Sequence, residues 1–228
     1  MRHEIIPARE VHSLAWIGDA LVDVVSGFAR YLPDVAPGRF RWPFPFDAAV
    51  TANEYAVIYQ RLGTKALLLR DGELLRELNR SYYYADRYEY PVCLVAHGGR
   101  TLLIHCPDFF DRLEIEDAAT GERLTTRDSK RSGVFHSRLA ANPRGDRFLS
   151  AGWVWQPLDL VDFFSLDEAL RDPRHLDRGD SAPGSGHVGW AEESAACWLT
   201  DTRLVVTSSD DEKTTTKRRR RHGSCRAA

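Results

Sequence analysis

The sequence predicts an all-β protein built from repeated strand–tight turn–strand units, and three observations carry that reading. Short apolar segments are broken at intervals by Gly, Asn or Asp, the residues that accept a positive φ at low cost. Taking Asp19, Asn53, Gly99, Asp146 and Asp201 as turn markers, the spacings are 34, 46, 47 and 55 residues. The apolar runs are near-continuous rather than strictly alternating, as expected of strands covered on both faces. A repeat of roughly 40–45 residues has the length of one four-stranded blade. The predicted architecture is therefore a β-propeller of about five units, the last incomplete.

The units follow in order. In the first, residues 12–17 lead through Gly18-Asp19 into 20–25. The second opens with the weaker pair 48–50 and 55–58 around Asn53. It continues with Leu67-Leu68-Leu69-Arg70, Asp71-Gly72 and Glu73-Leu74-Leu75, where Asp-Gly between apolar runs is the strongest short-range hairpin signal. The third has 92–96 and 101–104 around His97-Gly98-Gly99-Arg100, then a hairpin within 113–124. The fourth has 135–140 and 147–150 around Asn142-Pro143-Arg144-Gly145-Asp146, then 161–166 and a helical turn, 167–171, that Asp167 is placed to cap. The fifth has 195–199 and 203–206 around Thr200-Asp201. Unit boundaries fall at about 11–46, 47–90, 91–134, 135–193 and a partial 194–210. Residues 171–190 read as an irregular insert, and 211–228 have the composition of a disordered basic tail.

Residues 135–152 resemble the inner half of a WD repeat. Glu116-Asp117-Ala118-Ala119-Thr120-Gly121 resembles that repeat's outer Trp-Asp corner, with Glu116 standing where the Trp would be. Over 11–210 the layout is similar to uncharacterised bacterial WD-like proteins. No unit carries a complete Gly-His and Trp-Asp pair. The resemblance implies a WD-like propeller and carries over no partner or activity.

Composition narrows the function classes. Hydrophobic residues make up 43% and charged residues 28%, an ordinary globular balance with enough apolar material for a core. No apolar run approaches the roughly 20 residues of a membrane-spanning helix, and the first residues show no secretory pattern. The four cysteines, Cys93, Cys106, Cys197 and Cys225, show no metal or disulfide framework spacing. A cytoplasmic location without membrane association is expected. The last 18 residues hold seven basic and two acidic residues. Of the chain's 31 basic and 33 acidic residues, 1–210 therefore carry 24 and 31, a net of −7. Charge directs nucleic acid to the run Lys217-Arg218-Arg219-Arg220-Arg221 alone, which lacks interleaved aromatics for base stacking.

Several constellations could carry chemistry, and each has a plainer reading. Gly184-Ser185-Gly186-His187-Val188-Gly189 matches the dinucleotide fingerprint in letters. It follows an irregular insert and precedes a predicted strand, where cofactor binding needs a strand before and a helix after. Arg178-Gly179-Asp180 is an adhesion motif only in an exported protein. His105-Cys106-Pro107-Asp108 gathers ligand types, yet neighbours on a strand point to opposite faces, as do His136 and Ser137. The acid pairs Asp108/Asp111 and Glu114/Glu116 suit blade edges as well as general acid–base work. No catalytic residue, cofactor or metal is assigned, and binding is favoured over catalysis. The alternatives are a hydrolase- or lyase-type propeller enzyme with an axial polar pocket and nucleic-acid association through the tail.

The binding residues come from aromatic segments. Residues 80–90 lie between the second and third units and combine Arg80, Tyr82, Tyr83, Asp86 and Tyr88. Tyr and Arg dominate binding hot spots, because they desolvate well and keep a polar handle. Trp153 and Trp155 would share one face of a strand. A protein or small-ligand partner is expected there, with Arg80 and Asp86 exposed and dispensable for stability. Trp16 and Trp198 are expected to be buried. Self-association is expected through Leu204-Val205-Val206-Thr207, an apolar edge left by the incomplete last unit, to which 3–6 could add one strand.

Overall fold

The computed structural model describes residues 5, 11–27, 29–31, 42–128, 132–155, 158–177, 186–191 and 196–206. These residues form an all-β protein of five antiparallel sheets that follow one another along the chain. The first holds β1 (Leu14–Ile17), β2 (Ala20–Asp23) and β3 (Ala29–Tyr31). The second holds β4 (Ala48–Ala52), β5 (Tyr55–Tyr59), β6 (Ala66–Arg70) and β7 (Glu73–Leu78). The third holds β8 (Val92–His97), β9 (Arg100–His105) and β10 (Glu114–Asp117), the last bridged at Glu116 to Arg123. The fourth holds β11 (Ala140–Ala141), β12 (Arg147–Val154), β13 (Leu158–Ser165) and β14 (Gly186–Ala191). The fifth holds β15 (Ala196–Thr200) and β16 (Arg203–Val206). Within each sheet, spatial order follows chain order.

The turns form where the turn residues stand. Asp71 and Gly72 take φ of 52° and 88°, joining β6 to β7 in the left-handed conformation that matches strand twist. Asn53 does the same between β4 and β5 at 52°.

Strand alternation then sends side chains to two different interlayers. On β5, Tyr55, Val57 and Tyr59 face the third sheet, while Ala56 and Ile58 face the first. On β9, Leu103 faces the second sheet, while Leu102 and Ile104, with Cys106 just past the strand's end, face the fourth. Leu149, Ala151 and Val161 pack towards Ala196, Trp198, Leu204 and Val206 of the fifth. Each pair of consecutive sheets therefore encloses its own apolar layer. The first strands also lie beside one another in succession, β1 by β4, β4 by β8, β8 by β11 and β11 by β15.

Polar links join the neighbouring hairpins. Asn53 Nδ2 donates to Thr101 Oγ1 (2.9 Å), His97 Nδ1 to the Gly145 carbonyl (2.8 Å) and Asn142 Nδ2 to the Asp201 carbonyl (3.1 Å). His97 Nε2 also lies 3.1 Å from Asp167 Oδ1.

Three expectations are corrected. Trp16 is 69% exposed, because Ala15 and Ile17 take the inward positions of β1 and alternation turns Trp16 outward. The helix α1 (Leu166–Arg171) is capped by Ser165, whose side chain accepts from the Glu168 amide; Asp167 lies inside its first turn. The predicted irregular insert contains a 3-10 turn, Pro173–Asp177, and its last residues belong to β14, paired with β13. Trp198, expected to be buried, is half-buried, packing against the last interlayer and donating Nε1 to the Ala140 carbonyl at 2.9 Å.

Candidate functional site

The two aromatic segments singled out in the sequence meet around Phe135, a fully buried ring that neither segment contains. Phe135 pairs with Trp153 across an isolated bridge just before the fourth sheet. That pairing requires Gly152, since a Cβ there would fall on the Phe135 carbonyl oxygen. The Trp153 ring stacks on Phe135 at 4.0 Å with 2° between planes, and Phe110 stacks at 4.2 Å and 23°. Tyr83 extends this pile, 5.0 Å from Phe110. Tyr88, Tyr84 and Trp155 meet Phe135 edge-on at 5.3, 6.3 and 5.9 Å. Tyr84 and Trp155 also meet each other at 5.1 Å and 89°. Offset stacking and edge-to-face contact are the favoured geometries of aromatic pairs, so seven rings form one pre-organised unit.

The loop of residues 79–91 is held in place by its own backbone. The Tyr90 amide donates to the Arg61 carbonyl (2.8 Å), Arg87 to Tyr84 (2.9 Å) and Ala85 to Tyr82 (3.2 Å). Tyr84 sits at φ 52°, a sparsely used conformation for a non-glycine residue. Ser137 Oγ donates to the Glu89 carbonyl (3.2 Å), tying the loop to the segment before the fourth sheet.

The sequence-derived residues divide by depth. Tyr82 is 81% exposed, Trp155 is 51% exposed, and Tyr83 and Asp86 are also exposed, with Asp86 paired to Arg87 at 3.5 Å. Trp153 is half-buried. Arg80 and Tyr88 are buried, which corrects the expectation that Arg80 is a surface residue dispensable for stability. Burial also raises the Tyr88 hydroxyl's pKa, against the opposing pull of Arg80. Sequence reading missed Phe135 and Phe110 as the centre of the unit, and Tyr84 and Phe109 as exposed rings beside it. The Phe109-Phe110 pair between turn residues was the available signal.

The chemical constellations resolve into structural contacts. Glu114 accepts from Thr125 Oγ1 (3.0 Å) and lies 3.5 Å from Arg127; burial raises its pKa despite Arg127. Burial also works to raise Glu116, but His105 at 3.1 Å, Arg76 and Arg123 outweigh it and hold its pKa below the usual range. Asp108 pairs with Arg123. The Asp111 carboxylate accepts from the Gly133 amide at 3.0 Å. His105 and Cys106 do point apart, His105 to Glu116 and Cys106 into the apolar layer. Ser137 is bonded to Glu89, and His136 Nδ1 lies 3.0 Å from Ser150 Oγ. Among the described residues, no three His, Cys, Asp or Glu gather as metal ligands. Gly186 to Gly189 lie on β14, so a strand continues the fingerprint where cofactor binding needs a helix. Arg178-Gly179-Asp180, Gly184-Ser185, the 3–6 strand with the exception of Ile5, and Lys217 to Arg221 lie outside the described residues.

A cavity of about 220 Å³ opens between the β4–β5 turn and the third sheet, lined by Asn53, Glu54, Gly99, Arg100, Thr101 and Asp117 among others. Arg100 and Asp117 face each other there at 3.6 Å, and Asp117 Oδ1 also accepts from the Ala119 and Thr120 amides. The Asp117 carboxylate is thus engaged in holding its own corner.

Among the described residues, no helix is long and apolar enough to cross a membrane. No protein-family model matches the chain, those of WD repeats included. No curated protein matches it. Similar solved structures include Kluyveromyces lactis Hsv2 with a complete loop 6CD, at TM-score 0.40 and 13% identity over 85% of this chain. Two further structures of that yeast's Hsv2 match at TM-scores of 0.41 and 0.37, with 11% and 10% identity over 89% and 82% of this chain. The chain spans 61%, 63% and 72% of the three structures' lengths. A likeness this distant transfers neither partner nor activity.

Proposed function

We propose that this chain is a non-catalytic binding module of β-propeller type. It presents Tyr82, Tyr83, Tyr84, Phe109 and Trp155 to a protein partner. The propeller reading rests on the succession of sheets, each enclosing an apolar layer with the next, and on the succession of their first strands. The partner reading is carried by one observation. Exposed rings from two separate segments, Tyr83 and Tyr84 in the loop of residues 79–91 and Trp155 just past β12, are fixed against the single buried hub of Phe135. Clustered exposed aromatics mark interaction sites, whereas scattered ones do not. Rigid rings also lose little conformational entropy on binding.

The test is a Tyr82→Ala/Trp155→Ala double variant, compared with wild type by cross-linked affinity capture from source cells. Tyr82 and Trp155 are the two most exposed of these rings, so the variant is expected to melt within a few degrees of wild type and to capture the partner at less than a tenth of the yield. Unchanged capture would remove the surface from consideration. A collapse in melting temperature would make the rings structural.

A further inference from the structure

The fifth sheet is narrower than the sheet it packs on. The fourth holds four strands, β11 to β14, whereas the fifth holds β15 and β16 alone. β15 lies against β11 and β12, so the second pair of strands in the fourth sheet has at most β16 opposite it. Val161 and Phe163 of β13 belong to the shared apolar layer, and Phe163 is only half-buried in it. β16 is also an open edge. One row of its backbone groups pairs with β15, and among the described residues no segment pairs with the other row. β7, the edge of the second sheet, shows how an edge is guarded: Glu73, Arg76 and Glu77 charge it, and Leu75 bulges out of register with β6. β16 reads Arg203-Leu204-Val205-Val206, with a single charge at its start.

An unguarded edge accepts an extended segment by backbone pairing, and alternate side chains of that segment then meet the layer behind. Here Leu204 and Val206 point into an apolar layer, so the added segment must be apolar at every second residue. The chain's own terminal segments do not fit. Residues 207–228 contain no apolar alternation, and Ile5 of the segment 3–6 is 92% exposed. A second copy does not fit either. Antiparallel pairing of two β16 edges about a twofold axis puts both fourth sheets on one side of the joint sheet, where their outer strands collide.

We propose that β16 is a docking edge for an extended strand of a partner polypeptide, apolar at alternate positions on the side turned to the fourth sheet. The added strand takes beside β16 the place that β6 takes beside β5 and β13 takes beside β12. The site is separate from the aromatic surface proposed above and does not depend on it.

The probe is a synthetic peptide with the sequence of residues 65–71. It contains β6, the third strand of the second sheet, whose Leu67 and Leu69 face the sheet before it and whose ends are charged. Added to the whole chain, the labelled peptide is expected to bind saturably in fluorescence anisotropy and to slow hydrogen exchange at residues 203–206 by about tenfold or more. Leu67→Ser/Leu69→Ser in the peptide should weaken binding by about tenfold or more, since both inward side chains are lost. Only one edge of a strand faces β16, so N-methylation of one alternate set of peptide amides should abolish binding, and methylation of the other set should leave most of it. The Tyr82→Ala/Trp155→Ala chain should bind the peptide as wild type does, which separates this edge from the aromatic surface. No binding, protection confined to other residues, or equal loss with both methylated sets overturns the site. So does an oligomer at micromolar concentration whose residues 203–206 are already protected and which the peptide does not dissociate, since that gives the edge to a second copy.

Discussion

His136 shows how far burial alone can move a side chain's chemistry. It is enclosed in the layer between the third and fourth sheets, with its ring near Phe164 and its Nδ1 on Ser150. Desolvation lowers its pKa to about 4, with Asp111 pulling the other way and Arg127 adding to the drop. An unfolded histidine titrates near 6.5, so between those values the unfolded chain holds a proton that the folded chain refuses. Stability is therefore fully present above about pH 6.5 and falls as the pH drops towards 4, by roughly 3 kcal/mol across the window. Urea melts of wild type and His136→Gln at pH 7.5 and 4.5 should show the wild type losing more over that interval. Parallel losses would mean that other groups govern acid sensitivity. At this scale the sequence was a poor guide to depth. Trp16 and Trp198 sit on the first strands of the two end sheets, yet alternation turns one out and the other in. Strand parity at an end sheet has no local signal. Arg80 misled for a different reason, since charge normally marks the surface and here ring faces cover it.

Among the elements, hairpins were the most legible features, because turn chemistry is local. Asn53, Asp71, Gly99 and Gly145 all adopt the positive φ that their residue types allow. β14 was only partly legible, because its glycine-containing stretch has no β-branched run and gains its order from pairing with β13. The cap of α1 was misread by two residues, as Ser165 and Asp167 are both good capping types and only the entry angle of β13 decides between them. Gly145 matters beyond its turn. Its φ is 71°, and a Cβ would meet the Ala96 carbonyl oxygen at the end of β8, where His97 binds the Gly145 carbonyl. Gly145→Ala should destabilise by roughly 2–4 kcal/mol, combining backbone strain with a lost inter-sheet contact. Gly98→Ala is the matched control: φ is 58° with open space around it, so strain alone should cost roughly 1–2 kcal/mol. Equal losses in chemical denaturation would show that the approach to Ala96 contributes nothing.

Across the whole molecule, the repeat period carried the all-β reading, while the aromatic unit around Phe135 stayed hidden. Its rings come from positions 83, 84, 88, 110, 135, 153 and 155, and only folding brings them together. The same long-range logic governs stability. Each inner sheet lends one face to the sheet before it and one to the sheet after, so no sheet owns a complete core. A two-stranded sheet such as the fifth is marginal by itself, so packing against the fourth through their shared layer holds it in place. Leu103 is fully buried on β9 in the layer shared with β4, β5 and β6, and far from Trp198 in the last layer. Leu103→Ala should cost roughly 2–5 kcal/mol through the transfer and cavity terms. If the layers are coupled, that loss shifts the far-ultraviolet transition and the Trp198 fluorescence transition together, with one midpoint. Trp198 would be followed in a background where the other tryptophans are replaced by phenylalanine. Two midpoints, with the Trp198 signal unmoved by Leu103→Ala, would mean that the fourth and fifth sheets unfold independently of the second and third.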